Sequence, residues 1–386
     1  MTINKKKKIM AVFGTRPEAI KMAPVVKELK NRNTLKVIST VTAQHREMLD
    51  QVLTLFNIKP EYDLDIMDKI QSLEQITARC VENLKGIFRK ENPDIVLVQG
   101  DTTTTLGAAL TAYYNKIPVG HIEAGLRTYD KYNPFPEEIN RKLTDGLSEY
   151  FFAPTAGNKD NLIKENCKPE NIYVTGNTVI DSLKMITGKK IVPKNKLLRR
   201  IPKDKKMVLV TSHRRENWGG PMKNIFSGLR RLAIQKSDIL FIYPVHLNPE
   251  IKKLSLQYFK NIKNFKLISP VSYSDMAWLL KRCYYCFTDS GGIQEEAPSL
   301  GKPVLVLREV TERPEAVTSG TVKIIGTSGD SVYHWGRKLI EEKDVYSKIA
   351  EAVNPYGDGK ASKRIADILE HRLGLEKERP VQWNKT

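Results

Sequence analysis

Few cysteines, no long apolar stretch and a shortage of acidic side chains in its second half mark this 386-residue chain. Four cysteines (Cys80, Cys167, Cys283, Cys286) are too few for a disulfide framework at this length, so a reducing, cytoplasmic compartment is expected. Cys283 and Cys286 have C-x-x-C spacing, but no second pair or His-x-His group accompanies them. A zinc site needs four ligands, and a redox pair would open a helix; this pair enters the apolar run Cys286-Phe287-Thr288 and reads as core. No metal is expected. No run approaches the roughly 18 apolar residues of a membrane span. Lys5 to Lys8 precede Ile9 to Phe13, too short a run for a signal segment, and read as a basic leader into a first strand. The G-x-G-x-x-G fingerprint is missing as well, and with it any indication of an NAD cofactor.

What is present is ordinary globular material: 40% apolar and 28% charged residues, enough for the two cores that this length favours. The net charge of +19 is unevenly spread. Residues 1–185 hold 26 basic and 23 acidic side chains, residues 186–386 hold 37 and 21. Gly188 to Lys206 alone carries nine basic residues and one Asp, with Pro193 and Pro202, and reads as a solvated connector. Lysines without interleaved aromatics or a recognisable motif argue against nucleic acid. The charge better suits a small phosphate-bearing ligand.

Short β-branched or apolar runs alternate with helix-length segments. They are Ile9 to Phe13, Val37 to Thr42, Ile95 to Gln99, Val119 to Ile122, Tyr150 to Ala153 and Ile172 to Val174, then Met207 to Thr211, Leu240 to Val245, Phe265 to Ile268, Tyr284 to Thr288, Val304 to Leu307 and Val322 to Ile325. Near-continuous apolar strands indicate parallel sheets covered on both faces. The expected fold is α/β: two doubly wound Rossmann-like domains facing across a cleft, over residues 1–185 and 207–355. A basic linker, 186–206, joins them, and 356–386 forms a closing helix and tail.

In such sheets ligands sit beyond the carboxyl ends of the strands, and the groups there are polar. Gly14-Thr15-Arg16-Pro17-Glu18 follows the first strand: a tight turn, a cap and a first-turn proline place Arg16 beside free backbone N–H groups, a pocket for phosphate, with Lys21 one turn on. Asp101 ends the third strand, and Glu123 the fourth, where a buried carboxylate needs a purpose or a partner. Glu137 and Glu138 open a later helix. Asp101, Glu123 and Glu137 are expected to converge for acid/base work; the alternative is structural pairing with Arg127 and Arg141. The second half offers His213, Arg214 and His246 after its first two strands. Ser290, Gly291 and Gly292 stand at a helix start with Glu296 one turn in, and Thr311 to Glu315 repeats the Thr-Arg-Pro-Glu theme around Arg313.

These segments are specific: F-G-T-R-P-E-A-I-K-M-A-P (Phe13 to Pro24), T-A-Q-H-R (Thr42 to Arg46), Q-G-D-T-T-T-T, H-I-E-A-G-L-R, H-R-R-E-N, T-D-S-G-G-I-Q-E-E-A-P, T-E-R-P-E-A and N-P-Y-G-D-G. From about Ile9 to Leu373 the chain resembles the non-hydrolysing UDP-N-acetylglucosamine 2-epimerases. The resemblance implies a GT-B-type fold, a homodimer, a UDP-sugar substrate, and no metal or NAD. It implies an isomerase that interconverts UDP-GlcNAc and UDP-ManNAc for cell-surface polysaccharide biosynthesis, expelling UDP to leave 2-acetamidoglucal and adding it back.

By motif position the resemblance assigns Asp101, Glu123 and Glu137 to acid/base chemistry. Arg16, Lys21, His213, Ser290, Gly291, Gly292, Glu296 and Arg313 fall around UDP or its leaving oxygen. The position matching the aromatic over uracil is Met276. Some members carry a second, activating substrate site, whose residues match Gln44, Arg214 and His246; that site's second Gln is Glu47 here. A hydrolysing relative that releases free ManNAc and UDP, a GT-B glycosyltransferase and a non-enzymatic phosphate-binding module remain alternatives, since fold alone does not fix chemistry. The convergent carboxylates argue against the last.

Overall fold

The computed structural model describes residues 6–43, 46–66, 72–202 and 204–383. The chain forms two compact units, Met1–Ser182 with Tyr356–Thr386, and Leu183–Pro355. Each is built on one parallel sheet with helices between successive strands.

The first unit contains β1 (Lys7–Phe13), β2 (Leu35–Val41), β3 (Tyr62–Asp63), β4 (Ile95–Gln99), β5 (Val119–Ile122), β6 (Tyr150–Ala153) and β7 (Ile172–Val174), in the order β3-β2-β1-β4-β5-β6-β7. Residues Ile9 to Phe13 and all of β4 and β5 are buried, as expected where helices cover both faces. Four strands coincide with the apolar runs read from the sequence. The two-residue β3 was missing from that reading; it pairs only Thr40 with Tyr62 and Val41 with Asp63, too short for any periodicity.

The segment from Tyr356 belongs to this first unit. Arg32 reaches Asp367 at 2.8 Å and Glu370 at 2.9 Å, fastening the helix Ala361–Arg372. That helix starts on buried Asp181, which accepts from the Ser362 backbone N–H (2.8 Å) and hydroxyl (2.6 Å) and the Ala361 N–H (3.2 Å). Its first donors are therefore satisfied by a carboxylate from another element, since Lys360 at the cap position supplies no side-chain bond.

The second unit contains β8 (Met207–Thr211), β9 (Leu240–Pro244), β10 (Phe265–Ile268), β11 (Tyr285–Thr288), β12 (Val304–Val306) and β13 (Val322–Ile324), ordered β10-β9-β8-β11-β12-β13. Its core includes Phe226, Phe241, Phe259, Phe265, Tyr285 and Phe287. Cys283 and Cys286 are buried there as thiols, as their apolar setting indicated. Both sheets share one winding, which reverses direction between β1 and β4 in the first and between β8 and β11 in the second. Loops leaving those neighbouring strands meet at the carboxyl edge, the usual ligand position. No helix among the described residues is long and apolar enough to cross a membrane.

Candidate active site

At the β1 end, Thr15 caps the helix Arg16–Lys30 and Glu18 closes a capping box. Glu18 does more than cap. Its Oε2 accepts from the N–H groups of Gly14 (3.1 Å) and Thr15 (2.6 Å), and its Oε1 from the hydroxyls of Thr102 (2.7 Å) and Thr105 (3.0 Å). Burial pushes the Glu18 carboxyl above its ordinary value, with those donors opposing. This corrects one expectation: the N–H groups of Gly14 and Thr15 beside Arg16 are committed to Glu18. The role of Gly14 changes too. A Cβ there would stand 1.9 Å from the Thr42 hydroxyl oxygen and 2.8 Å from that of Thr104, so close approach, rather than a tight turn, demands glycine. Arg16 itself is half-buried at the start of the helix.

Glu123 follows β5 in a left-handed backbone conformation, φ 68°, unusual for a residue with a side chain. Its partners are now visible. Lys21 donates to both carboxylate oxygens, at 2.6 and 2.5 Å, Asn177 donates at 3.0 Å, and Gln99 donates to Oε2. The structure thus places Lys21, expected near UDP, against Glu123. Gly100 lies close by, because a Cβ on it would be 3.8 Å from Glu123 Oε2.

Asp101 is the next residue. Its carboxylate accepts from Arg141 at 2.7 Å, and its carbonyl accepts from the Asn140 amide at 3.0 Å. Both partners lie on the helix Glu137–Leu147, so the loop of Asp101 is pinned to the helix that begins with Glu137. Glu138 anchors that helix start, accepting from the N–H groups of Thr128 and Tyr129, each at 3.0 Å. Glu137 is different: its Oε2 is buried and, among the described residues, has no hydrogen-bond partner. Of the two cations named in that alternative, Arg141 pairs with Asp101 (2.7 Å), while Arg127 pairs with Asp145 (2.7 Å) and Glu165 (2.6 Å).

Behind these groups lies a buried relay absent from the sequence reading. His121 Nδ1 faces Asp145 at 2.6 Å and Nε2 faces the Gly100 carbonyl at 2.7 Å, so the ring supports the turn carrying Asp101. Burial would raise Asp145, but His121 and Arg127 hold it below the usual carboxylate range.

In the second unit, Thr211 and Thr288 bond side by side at 2.7 Å, joining the ends of β8 and β11. Ser290, Gly291 and Gly292 follow, opening the helix Gly291–Glu296. A Cβ on Gly291 would lie 3.7 Å from guanidinium nitrogens of both Arg214 and Arg313, so two cations flank the glycine turn. Arg313 is oriented by Glu295, and Arg214 by Glu312 at 3.2 Å. Burial alone would raise Glu312; Arg214, Arg313 and Arg308 together pull it below its ordinary value. Glu296 lies next to the turn, its Oε2 accepting from the hydroxyl of buried Tyr273 at 3.1 Å. Met276 is half-buried on the helix Tyr273–Arg282.

His213 and His246 stack with centroids 5.9 Å apart and planes at 11°. Burial pushes His213 below its ordinary value; Asp289 opposes, while His246 and Arg214 add to the shift. Arg214 and His246, matched to a second substrate site, thus stand in one cluster with His213. Gln44, the third residue of that group, lies outside the described residues.

Two doubly wound units of one strand order, each with ionisable groups at its switch point, define an α/β enzyme class of the GT-B type. The chain belongs to the UDP-N-acetylglucosamine 2-epimerase family, whose model matches residues 27–370. A UDP-N-acetylglucosamine 2-epimerase of Bacillus subtilis is 50% identical over 376 residues, covering 97% of this chain and 98% of that protein. The crystal structure of UDP-GlcNAc 2-epimerase from Neisseria meningitidis, bound to UDP-GlcNAc, is 49% identical at a TM-score of 0.85, covering 94% and 99% of the two chains. Another solved UDP-N-acetylglucosamine 2-epimerase has a TM-score of 0.92 at 47% identity, over 99% and 100%.

Proposed function

We propose that this protein interconverts UDP-N-acetylglucosamine and UDP-N-acetylmannosamine, working in the cytoplasm as a homodimer. The C2 hydrogen of the sugar has no ring carbonyl to acidify it. It leaves as UDP departs from C1, giving 2-acetamidoglucal and UDP; the proton returns on the opposite face and UDP adds back. In this reading Asp101, Glu123 and Glu137 are the acid/base groups.

The observation that carries this reading is the buried Glu137 oxygen without a protein donor, on a helix tied to the loop of Asp101. A pure phosphate-binding module has no use for a carboxylate left in that state. Lys21 then acts through Glu123, orienting its carboxylate, while Arg16, Arg313 and Arg214 meet the charge gained by the leaving diphosphate. His213 stands at the leaving oxygen, Ser290 to Gly292 receive phosphate, Glu296 takes ribose hydroxyls and Met276 covers uracil.

Incubation with UDP-GlcNAc alone in deuterated water, followed by NMR, tests the proposal. UDP-ManNAc carrying deuterium at C2 is expected. Free ManNAc would establish hydrolysis instead, turnover only with an added acceptor a glycosyltransferase, and no change at all a non-enzymatic phosphate-binding module.

A further inference from the structure

Asp289 follows β11 and is wholly buried. Its two oxygens are used very unequally. Oδ2 accepts from the Ser212 hydroxyl (2.9 Å), the N–H groups of His213 (2.8 Å) and Arg214 (2.9 Å), and the Asn217 amide (3.0 Å). Oδ1 is buried and, among the described residues, has no hydrogen-bond partner. The nearest ionisable group to be matched with it is His213, whose Nδ1 lies 3.5 Å away. That separation is several tenths of an ångström beyond a hydrogen bond, and a small ring movement closes it.

We infer that Asp289 is a positioning residue for His213: it holds the ring proton on Nδ1 and leaves Nε2 as the nitrogen offered to the ligand. An ionised carboxylate oxygen can only accept, and leaving it buried without a donor is costly. His213 Nδ1–H is the donor within reach. His213 also stacks on His246, with planes at 11°. His246 has the opposite arrangement, because its Nδ1 accepts from the Asn248 N–H at 3.2 Å and its own proton must sit on Nε2. The titratable or charged groups around His213 are Asp289, Arg214 and His246, and Asp289 alone among them favours the imidazolium. In both protonation states the Nδ1–H stays with Asp289, and Nε2 is the site that gains or loses a proton facing the anion. For catalysis this rests on the proposed epimerase reading; the tautomer itself does not.

The substitution Asp289→Asn separates the two uses of this side chain. Three of the four donors on Oδ2 are N–H groups, so the asparagine oxygen must take that place. Its NH2 group then points at His213 Nδ1, which must become the acceptor, and the proton moves to Nε2.

Nitrogen NMR of isotope-labelled histidine, with His213 assigned through His213→Asn, reads the tautomer in the ligand-free protein. The wild type is expected to show a protonated Nδ1 and a bare Nε2, and Asp289→Asn the reverse. Turnover of UDP-GlcNAc by Asp289→Asn should fall about a hundredfold, the lower range for a displaced acid/base group, with UDP affinity changed less than about threefold. A wild-type Nε2–H tautomer overturns the inference, even if the variant does not fold. An inverted tautomer with turnover within about threefold of wild type overturns the catalytic half. Failure of the wild type to epimerise UDP-GlcNAc would instead refute the proposed function, leaving the tautomer result to be judged alone.

Discussion

Replacing Lys21 by alanine strips the cation from a carboxylate with little access to water. Glu123 is 8% exposed, and the paired side chains retain 19% (Lys21) and 6% (Glu123) of their surface. Lys21 bonds both oxygens, and the amides of Gln99 and Asn177 remain when it is gone. Breaking a buried ion pair from one side costs about 3–5 kcal/mol. Two surviving amide donors and the partial exposure of Lys21 put this case at the lower end, about 3 kcal/mol. Glu123→Gln should cost less, about 1–2 kcal/mol, because the freed ammonium can reach water whereas the freed carboxylate cannot. The double variant should therefore be more stable than the sum of the single losses predicts, by about 1–3 kcal/mol for residues in direct contact. Urea unfolding of the wild type, both single variants and the double variant completes the cycle. If Lys21→Ala stays within about 0.5 kcal/mol of wild type, Lys21 does not stabilise the buried Glu123 side chain and the reasoning fails.

Asp101→Asn, Glu123→Gln and Glu137→Gln should each lower turnover by about 10²–10⁴ while calorimetry still shows UDP binding; near-normal turnover in two of them would make the cluster structural ion pairing. Arg313→Ala should weaken UDP binding and lower kcat together, since a contact to the departing diphosphate strengthens as charge develops. A change confined to KM would assign Arg313 to uniform binding. For Glu18, a raised value in the folded state means that its stabilising contribution is complete below the ordinary value of 4.5 and is lost as pH rises through the raised one. The stability of wild type relative to Glu18→Gln should accordingly decline with rising pH above 4.5, and a pH-independent difference in urea unfolding would contradict the assignment.

The strands were legible because parallel strands buried on both faces carry unbroken apolar runs, and polar loops end them sharply. Ile95–Gln99, Val119–Ile122, Tyr150–Ala153 and Ile172–Val174 agree residue for residue with the runs read from the sequence. Asp101, Glu123 and Ser290 to Gly292 were legible for the converse reason: polar groups placed directly after buried strands are costly unless they serve a site.

Which of those groups touch was not legible. Lys21 and Glu123 lie 102 residues apart, and the Asp289 oxygen that organises the His213 loop reaches back 76. Such contacts follow from strand order, which sets β1 beside β4 and β8 beside β11, and local periodicity carries no information about order. The same limit hid the work of Glu18, because its partners Thr102 and Thr105 come from the segment that follows the neighbouring strand β4. Sequence alone therefore determined most of the strands and which polar residues stand at their ends. Only the tertiary structure decided the partners, because hydrogen bonds and ion pairs form between neighbours in space, and the winding of the sheet makes distant residues neighbours.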